Sequence, residues 1–335
     1  MTRTPCAGVL AWLVAGLLAT GDAWAADHAA TAIEPVGAAT APAHAAGADV
    51  DAVLEPWRRV RVAHLIPGHA RACVPVAMRL PATATQKEIA AGLDLVSLSL
   101  LGAWLVERAA SGTVLVCRDP NTHLAAYYRS QVRLIGLLAR LPEPARIMFL
   151  AHELAHVPQH PRFSNDRRFG PQAMLLMHRM REAAAEAVAT RVLWQLRERG
   201  YPEFLSYKLR SAYGDIARAF VRAMARRQGE AAELRATAAA FDQWFARPER
   251  LRQYDDHLLD HLERIHRHLP EPIGPRRVLS ERFLRGIGRH AGRTFLPEGS
   301  GRPLSDPHYA RGLSAENGAR LDALLNPAIG QPREP

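Results

Sequence analysis

The sequence predicts a mostly helical α+β fold: a short antiparallel sheet, then a helix carrying paired histidines, then a helical C-terminal lobe. Three observations predict it. The stretches 86–110 and 170–200 repeat apolar residues at helical spacing. A β-branched and aromatic run between 113 and 137 reads as strands. From residue 203 onward, amphipathic segments follow one another with little strand signal.

The first 25 residues read as a signal peptide. Arg3 gives a short positive start, residues 6–20 are apolar but too short for a comfortable membrane span, and Ala23-Trp24-Ala25 offers a small-residue cleavage site. An uncleaved anchor is the alternative. Cys6 lies at the start of the apolar run, whereas a lipoprotein cysteine follows it, which speaks against a lipid anchor. Residues 26–50 are Ala- and Pro-rich with no apolar period and read as a flexible linker. A periplasmic or secreted protein is the expectation. Export leaves Cys73 and Cys117, an even pair in an oxidising compartment, so one disulfide is expected ahead of two free thiols.

The net charge of +10 raises nucleic acid as a partner. The distribution argues against it: Lys87 and Lys208 are the only lysines, the arginines are spread over many segments, and no nucleic-acid motif accompanies them. A diffuse positive field allows at most a weak attraction to an anionic membrane or wall surface.

Residues 53–66 are compatible with a short helix or strand. Within 86–110, Leu93, Val96, Leu100 and Trp104 form a stripe widened by Leu101 and Leu105, predicting one buried helix closed by Gly112. Residues 113–117 predict a strand, 119–121 a turn, and 124–137 one or two further strands. An edge strand here would hold an extended peptide by main-chain hydrogen bonds. Tyr127 and Tyr128 are candidate hydrogen-bond donors to a reacting carbonyl, although sheet packing is the plainer role for each.

Pro142 and Pro144 open the next helix and Pro158 stops it. It contains His152-Glu153-Leu154-Ala155-His156. Residues four apart share a helix face, so the two imidazoles can meet at one point, as zinc requires. Glu153 then flanks the site as a general base rather than a ligand. An apolar surrounding makes a metal-free His-Glu-His cluster costly. His160 is rejected as a third histidine because Pro158 breaks the helix before it and Pro161 restricts it. Metzincins place that histidine six residues after the second, with a glycine between; here those positions are Arg162 and Gln159.

Gly170-Pro171 opens a long helix ending at Gly200. Its alanine-rich middle carries Glu182 and Glu186, four apart and on one face. Small neighbours allow close helix approach, so either carboxylate can reach a metal. An exposed acidic face beside Arg179 and Arg181 is the plainer alternative. His178, four residues before Glu182, is a minor competitor or a neighbour of the site.

His152-Glu153-x-x-His156 followed by Glu182-x-x-x-Glu186 resembles the gluzincin zinc peptidases, and Arg181-Glu182-Ala-Ala-Ala-Glu186-Ala resembles small bacterial metallopeptidase families of unknown substrate. The likeness covers roughly 124–196. It implies Zn2+ held by His152, His156 and Glu182, with Glu186 supporting a ligand histidine from behind. Aspartate is commoner at that last position, and the longer glutamate bears on which carboxylate binds the metal.

Residues 203–268 predict three helices, 270–275 a connector, 278–287 a helix and 315–325 a short helix. His257 and His261 are four apart, but the acids and arginines around them read as a solvated charged face rather than a second metal site. His290, His308 and Tyr309 join Tyr127 and Tyr128 as candidates to stabilise an oxyanion. The expected organisation is a metallopeptidase-like domain over 51–335, with its zinc-site core at 124–200 and a helical lobe at 203–335. The expected function is an exported zinc peptidase acting on a peptide or protein, with Glu153 as base. An amidohydrolase for cell-wall or lipid amides, and a non-catalytic periplasmic scaffold with a structural metal, are the alternatives.

Overall fold

The computed structural model describes residues 61–66, 68–77, 81–160, 169–225, 228–268, 279–296, 309 and 313–325. The expected signal peptide and linker, the 270–275 connector, and His308 lie outside them. Of the 53–66 stretch, residues 61–65 are helical. The ordered elements are α1 (His69–Ala72), β1 (Cys73–Pro75), α2 (Ala84–Ser97), α3 (Leu100–Ser111), β2 (Leu115–Asp119), β3 (Ala126–Arg129), β4 (Leu134–Leu138) and α4 (Glu143–His156). They continue as α5 (Pro171–Glu198), α6 (Pro202–Arg210), α7 (Gly214–Met224), α8 (Glu230–Trp244), α9 (Pro248–His268) and α10 (Glu281–Arg285), then β5 (Arg289–His290), β6 (Arg293–Thr294) and α11 (Ala315–Leu325). The fold is α+β and mostly helical.

The single helix expected over 86–110 is two. Ser99 accepts a hydrogen bond from the Gly102 amide and so caps α3 at its N-terminus. The apolar stripe runs on across the break, which is why the spacing alone hides it. α2 begins in a capping box between Thr83 and Gln86.

The four-stranded sheet has the order β1-β2-β4-β3. It is mixed rather than wholly antiparallel, since β2 and β4 run parallel. β3 and β4 form a hairpin, and the chain leaving β2 passes its neighbour position so that β4 slots between β2 and β3. β3 is therefore an outer strand, and it packs against α4. Period-two alternation splits its tyrosines. Tyr127 joins a small rear cluster with Val62, Ile66, Cys73, Cys117 and Leu134, whereas Tyr128 packs toward the main core. Cys73 and Cys117 are cross-strand partners and are disulfide-bonded.

Tyr127 lies across Gly136, its partner on β4. A Cβ there would stand 2.2 Å from the tyrosine Cζ. The glycine lets the phenol cross β4 and donate to Asp119 Oδ2 on β2 at 2.7 Å.

α5 is the spine of the main core. Its N-terminus is set by Gly170 and Pro171, and Gly200 closes it at φ +94. Ala183, Ala184, Ala185, Ala187 and Ala189 are fully buried, and α4, α6, α7, α8 and α9 all pack on it. Each fully buried Leu, Met or Phe around it contributes about 1.5–3 kcal/mol. Arg179 ties α5 to α9 through Asp255, donating from Nε to Oδ1 at 2.7 Å, and Arg179 Nη1 donates to the Tyr309 carbonyl at 3.0 Å. Residues 203–268 hold four helices rather than three. Gly229 at φ +88 and Pro248 punctuate the last two. The expected helix at 278–287 is shorter, and β5 and β6 form an unforeseen hairpin after it. Among the described residues, no helix is long and apolar enough to cross a membrane.

Candidate metal centre

α4 is buried from Ile147 to His156, and α5 lies against it. Their facing sides bring His152, His156 and Glu182 together. One ligand atom from each lies within 4.8 Å of the others, and among the described residues this is the one such group of His, Cys, Asp or Glu. The Nε2 atoms of His152 and His156 are 3.1 Å apart. Glu182 places Oε2 at 3.5 Å from the first and Oε1 at 3.6 Å from the second. Bonds of about 2.0–2.1 Å at tetrahedral angles separate two zinc ligands by about 3.3 Å. The His152–His156 separation and the approach of one Glu182 oxygen to each histidine lie close to that value.

The outer nitrogens decide whether a cation fits. Gln159, in the 3-10 turn Val157–Gln159, donates from Nε2 to the Arg181 carbonyl at 3.2 Å. Its Oε1 therefore faces Nδ1 of His156, at 2.8 Å, and that nitrogen carries the proton. Glu186 Oε1 lies 3.0 Å from Nδ1 of His152, off the ideal line of a hydrogen bond but close enough that only a protonated nitrogen suits the carboxylate. In the neutral rings this turns both Nε2 atoms, as acceptors, toward the shared point. Two ring nitrogens and a carboxylate converge, so the point holds a positive charge, either a proton shared among them or a metal cation that displaces it. The residues fit a metal such as zinc. Burial alone would depress the His152 imidazole, but the charge of Glu186, with Glu182 and Glu153, outweighs it and pushes the pKa up to about 10. The surroundings thus draw positive charge to this point.

Glu153 stands outside the ligand group and is 5% exposed. Burial raises its pKa, opposed by the two histidines. That is the shift wanted of a carboxylate that takes up and releases a proton. Burial works against ionisation of Glu186 as well, yet Lys208 and His152 hold it down to about 2.

Two side chains that the sequence does not single out stand behind the candidate ligands. Gln159 was read only as a departure from another family's glycine. Lys208 was counted only as one of two lysines, yet it is fully buried and its Nζ donates to Glu186 Oε2 at 2.5 Å. The signal was present: Phe204, Leu205 and Lys208 share the inward face of α6. Tyr213 and Tyr254 were also missed. They are buried with hydroxyls 3.2 Å apart, close enough to Glu182 and Glu186 for burial and those charges to raise both phenols.

His160 turns Nε2 to Arg181 Nη2 at 3.1 Å, away from the ligand group, and its ring meets Tyr128 edge-on at 5.6 Å. Tyr128 thus faces this side of the sheet. Tyr127 is committed to Asp119 on the other. His290 packs between Trp104 and Phe295, and Tyr309 donates to Asp242 Oδ1 at 2.6 Å within the α8 core. His178 is buried with Nε2 unpartnered, and burial depresses it to about 3. His257 and His261 gather no third ligand among the described residues. The acids near them are engaged by α11, where Arg320 pairs with Glu263 and Asp260 and Asn317 donates to Asp256.

The model of a family described as a putative metallopeptidase family matches residues 67–290, about two thirds of the chain, and the chain belongs to that family. Membership implies a metal and a peptidase class of activity. Neither a curated protein nor a solved structure matches the chain.

Proposed function

We propose that this member of a putative metallopeptidase family is an exported, zinc-dependent peptidase of gluzincin type. One observation carries the reading: the Nε2 atoms of His152 and His156 converge with Glu182 while their Nδ1 atoms lie against Glu186 and Gln159 on the outer side. His152, His156 and Glu182 would hold the ion. Bound zinc would supply Lewis-acid polarisation of the scissile carbonyl and would acidify the attacking water.

The chain's own residues supply the rest. Glu153 takes a proton from the attacking water as the C–O bond forms, then hands it to the amide nitrogen as the C–N bond breaks. Tyr128 is assigned to steady the carbonyl oxygen, since its ring lies on the α4 side of the sheet. β3 offers an outer edge beside α4 along which an extended peptide can pair. The Cys73–Cys117 disulfide supports a periplasmic or secreted location. The organisation we assign is a signal peptide at 1–25, a linker at 26–50 and one metallopeptidase domain at 51–335.

The burial of Glu153 supports a second reading, a scaffold that keeps its metal for stability. One substitution separates the two. Glu153→Gln should retain zinc by elemental analysis and lose about 10²–10⁴-fold in hydrolysis of an unstructured protein substrate. Undiminished turnover would sink the proposed mechanism, and a wild type with zinc but no turnover on peptide, wall or lipid amides would favour the scaffold. Glu182→Ala should lose the metal; full occupancy would shift the ligand role to Glu186.

A further inference from the structure

We propose that Lys208 is a positioning residue for the metal centre, acting on His152 through Glu186. This rests on the metal reading above.

Lys208 comes from α6, which packs on both α4 and α5. It is 0% exposed. An ammonium is held in such a place only by partners that replace its water. Both of its hydrogen bonds go to one residue: Nζ donates to Glu186 Oε2 at 2.5 Å and to the Glu186 carbonyl oxygen at 3.3 Å. The other carboxylate oxygen, Oε1, lies 3.0 Å from Nδ1 of His152. The line runs Nζ, Oε2, Oε1, Nδ1 and crosses three helices, each contributing one residue.

Two consequences follow from that line. First, a carboxylate gripped by Lys208 at one oxygen keeps the other against Nδ1 of His152, so the ring is held with Nε2 turned to the ligand group. Second, Glu186 is withheld from the ligand group. Glu182 and Glu186 lie one turn apart on the same helix face, and a glutamate side chain is long enough to compete for a nearby ion. Binding to Lys208 commits Glu186 to the outside of the histidine and leaves Glu182 as the carboxylate facing both Nε2 atoms. A buried ion pair that only joined α6 to α5 would need neither the second oxygen nor its place against the imidazole.

The test is zinc affinity, measured by competition with a chromophoric chelator on the full chain. Wild type, Lys208→Met, Glu186→Gln and the double variant are compared. Lys208→Met should weaken zinc binding about 10–100-fold, the usual effect of removing an outer partner of a ligand histidine. In the Glu186→Gln background the same change should cost no further affinity, because the route to His152 is already cut. The visible spectrum of the cobalt-loaded protein should differ between wild type and Lys208→Met. Equal affinity for wild type and Lys208→Met overturns the proposal. So does an equal loss in both backgrounds, which would mark a structural role independent of Glu186. Should Lys208→Met fail to fold, Lys208→Gln replaces it in the same comparison: an affinity loss present in the wild-type background and absent beside Glu186→Gln supports the proposal, and any other pattern overturns it. A wild type that binds no zinc overturns the metal reading and this inference together, a result distinct from a difference that fails to appear among zinc-binding variants.

Discussion

Gln159 Oε1 lies 2.8 Å from Nδ1 of His156, and the same amide holds the Arg181 carbonyl through Nε2. One side chain thus ties the end of α4 to the turn of α5 that carries Glu182. Gln159→Leu keeps the bulk and removes both contacts. Zinc affinity should fall about 10–100-fold. Chelator competition checks this, and unchanged affinity would show that the amide does not orient the ring.

Gly136 is required by the ring above it. Gly136→Ala sets a Cβ 2.2 Å from Tyr127 Cζ, so the phenol must leave Asp119 or β3 must shift. Overpacking of this kind costs about 1–3 kcal/mol. Urea unfolding should show the loss, and the loss should shrink in a Tyr127→Ala background. Equal losses in both backgrounds would place the strain elsewhere.

His290 makes stability depend on acid. It is buried against Trp104 and Phe295, and burial lowers its pKa to about 4. The folded value lies below the unfolded one of about 6.5. The unfolded chain therefore binds more protons between the two. This contribution is full above about pH 6.5, is lost as the pH falls toward 4, and amounts to about 3 kcal/mol at most. Unfolding curves at pH 7 and pH 4.5 should converge for His290→Phe relative to wild type. A parallel acid loss in the variant would assign the effect to other groups.

The Arg179–Asp255 pair fastens α5 to α9 with both side chains buried. Asp255→Ala strands the guanidinium, and breaking a buried pair this way costs about 3–5 kcal/mol. The melting temperature should drop by several degrees. A shift near zero would mean that the Tyr309 carbonyl and other neighbours suffice to hold Arg179.

What could be read from the chain follows the range of each interaction. The pairing of His152 with His156, and of Glu182 with Glu186, is set by a single helical period, so four-residue spacing discloses it. The limits of α4 and α5 are equally local, marked by Pro142, Pro158, Pro171 and Gly200. The break at Ser99 escaped because the apolar stripe continues through it and only a cap hydrogen bond marks it. The parallel pairing of β2 with β4 escaped because strand order is decided by packing between distant segments. Lys208 stands 22 residues from Glu186, and nothing near it in the chain names that partner. Tyr127 and Tyr128 looked alike in the sequence and were separated only by the two faces of the strand.

The disulfide sits at the opposite end of the sheet from the strand that flanks α4. Cys73 and Cys117 join β1 to β2, whereas β3 is held by β4 and by the reach of Tyr127 over Gly136 to Asp119. Reduction would remove the covalent link between β1 and β2 and leave their ladder pairing and the buried Val74 to hold the first strand. Cys117, Gly136 and Tyr127 nonetheless stand in one row across β2, β4 and β3, and Tyr127 packs with both cysteines, so the state of the disulfide is felt on the back of the strand whose front flanks the metal centre.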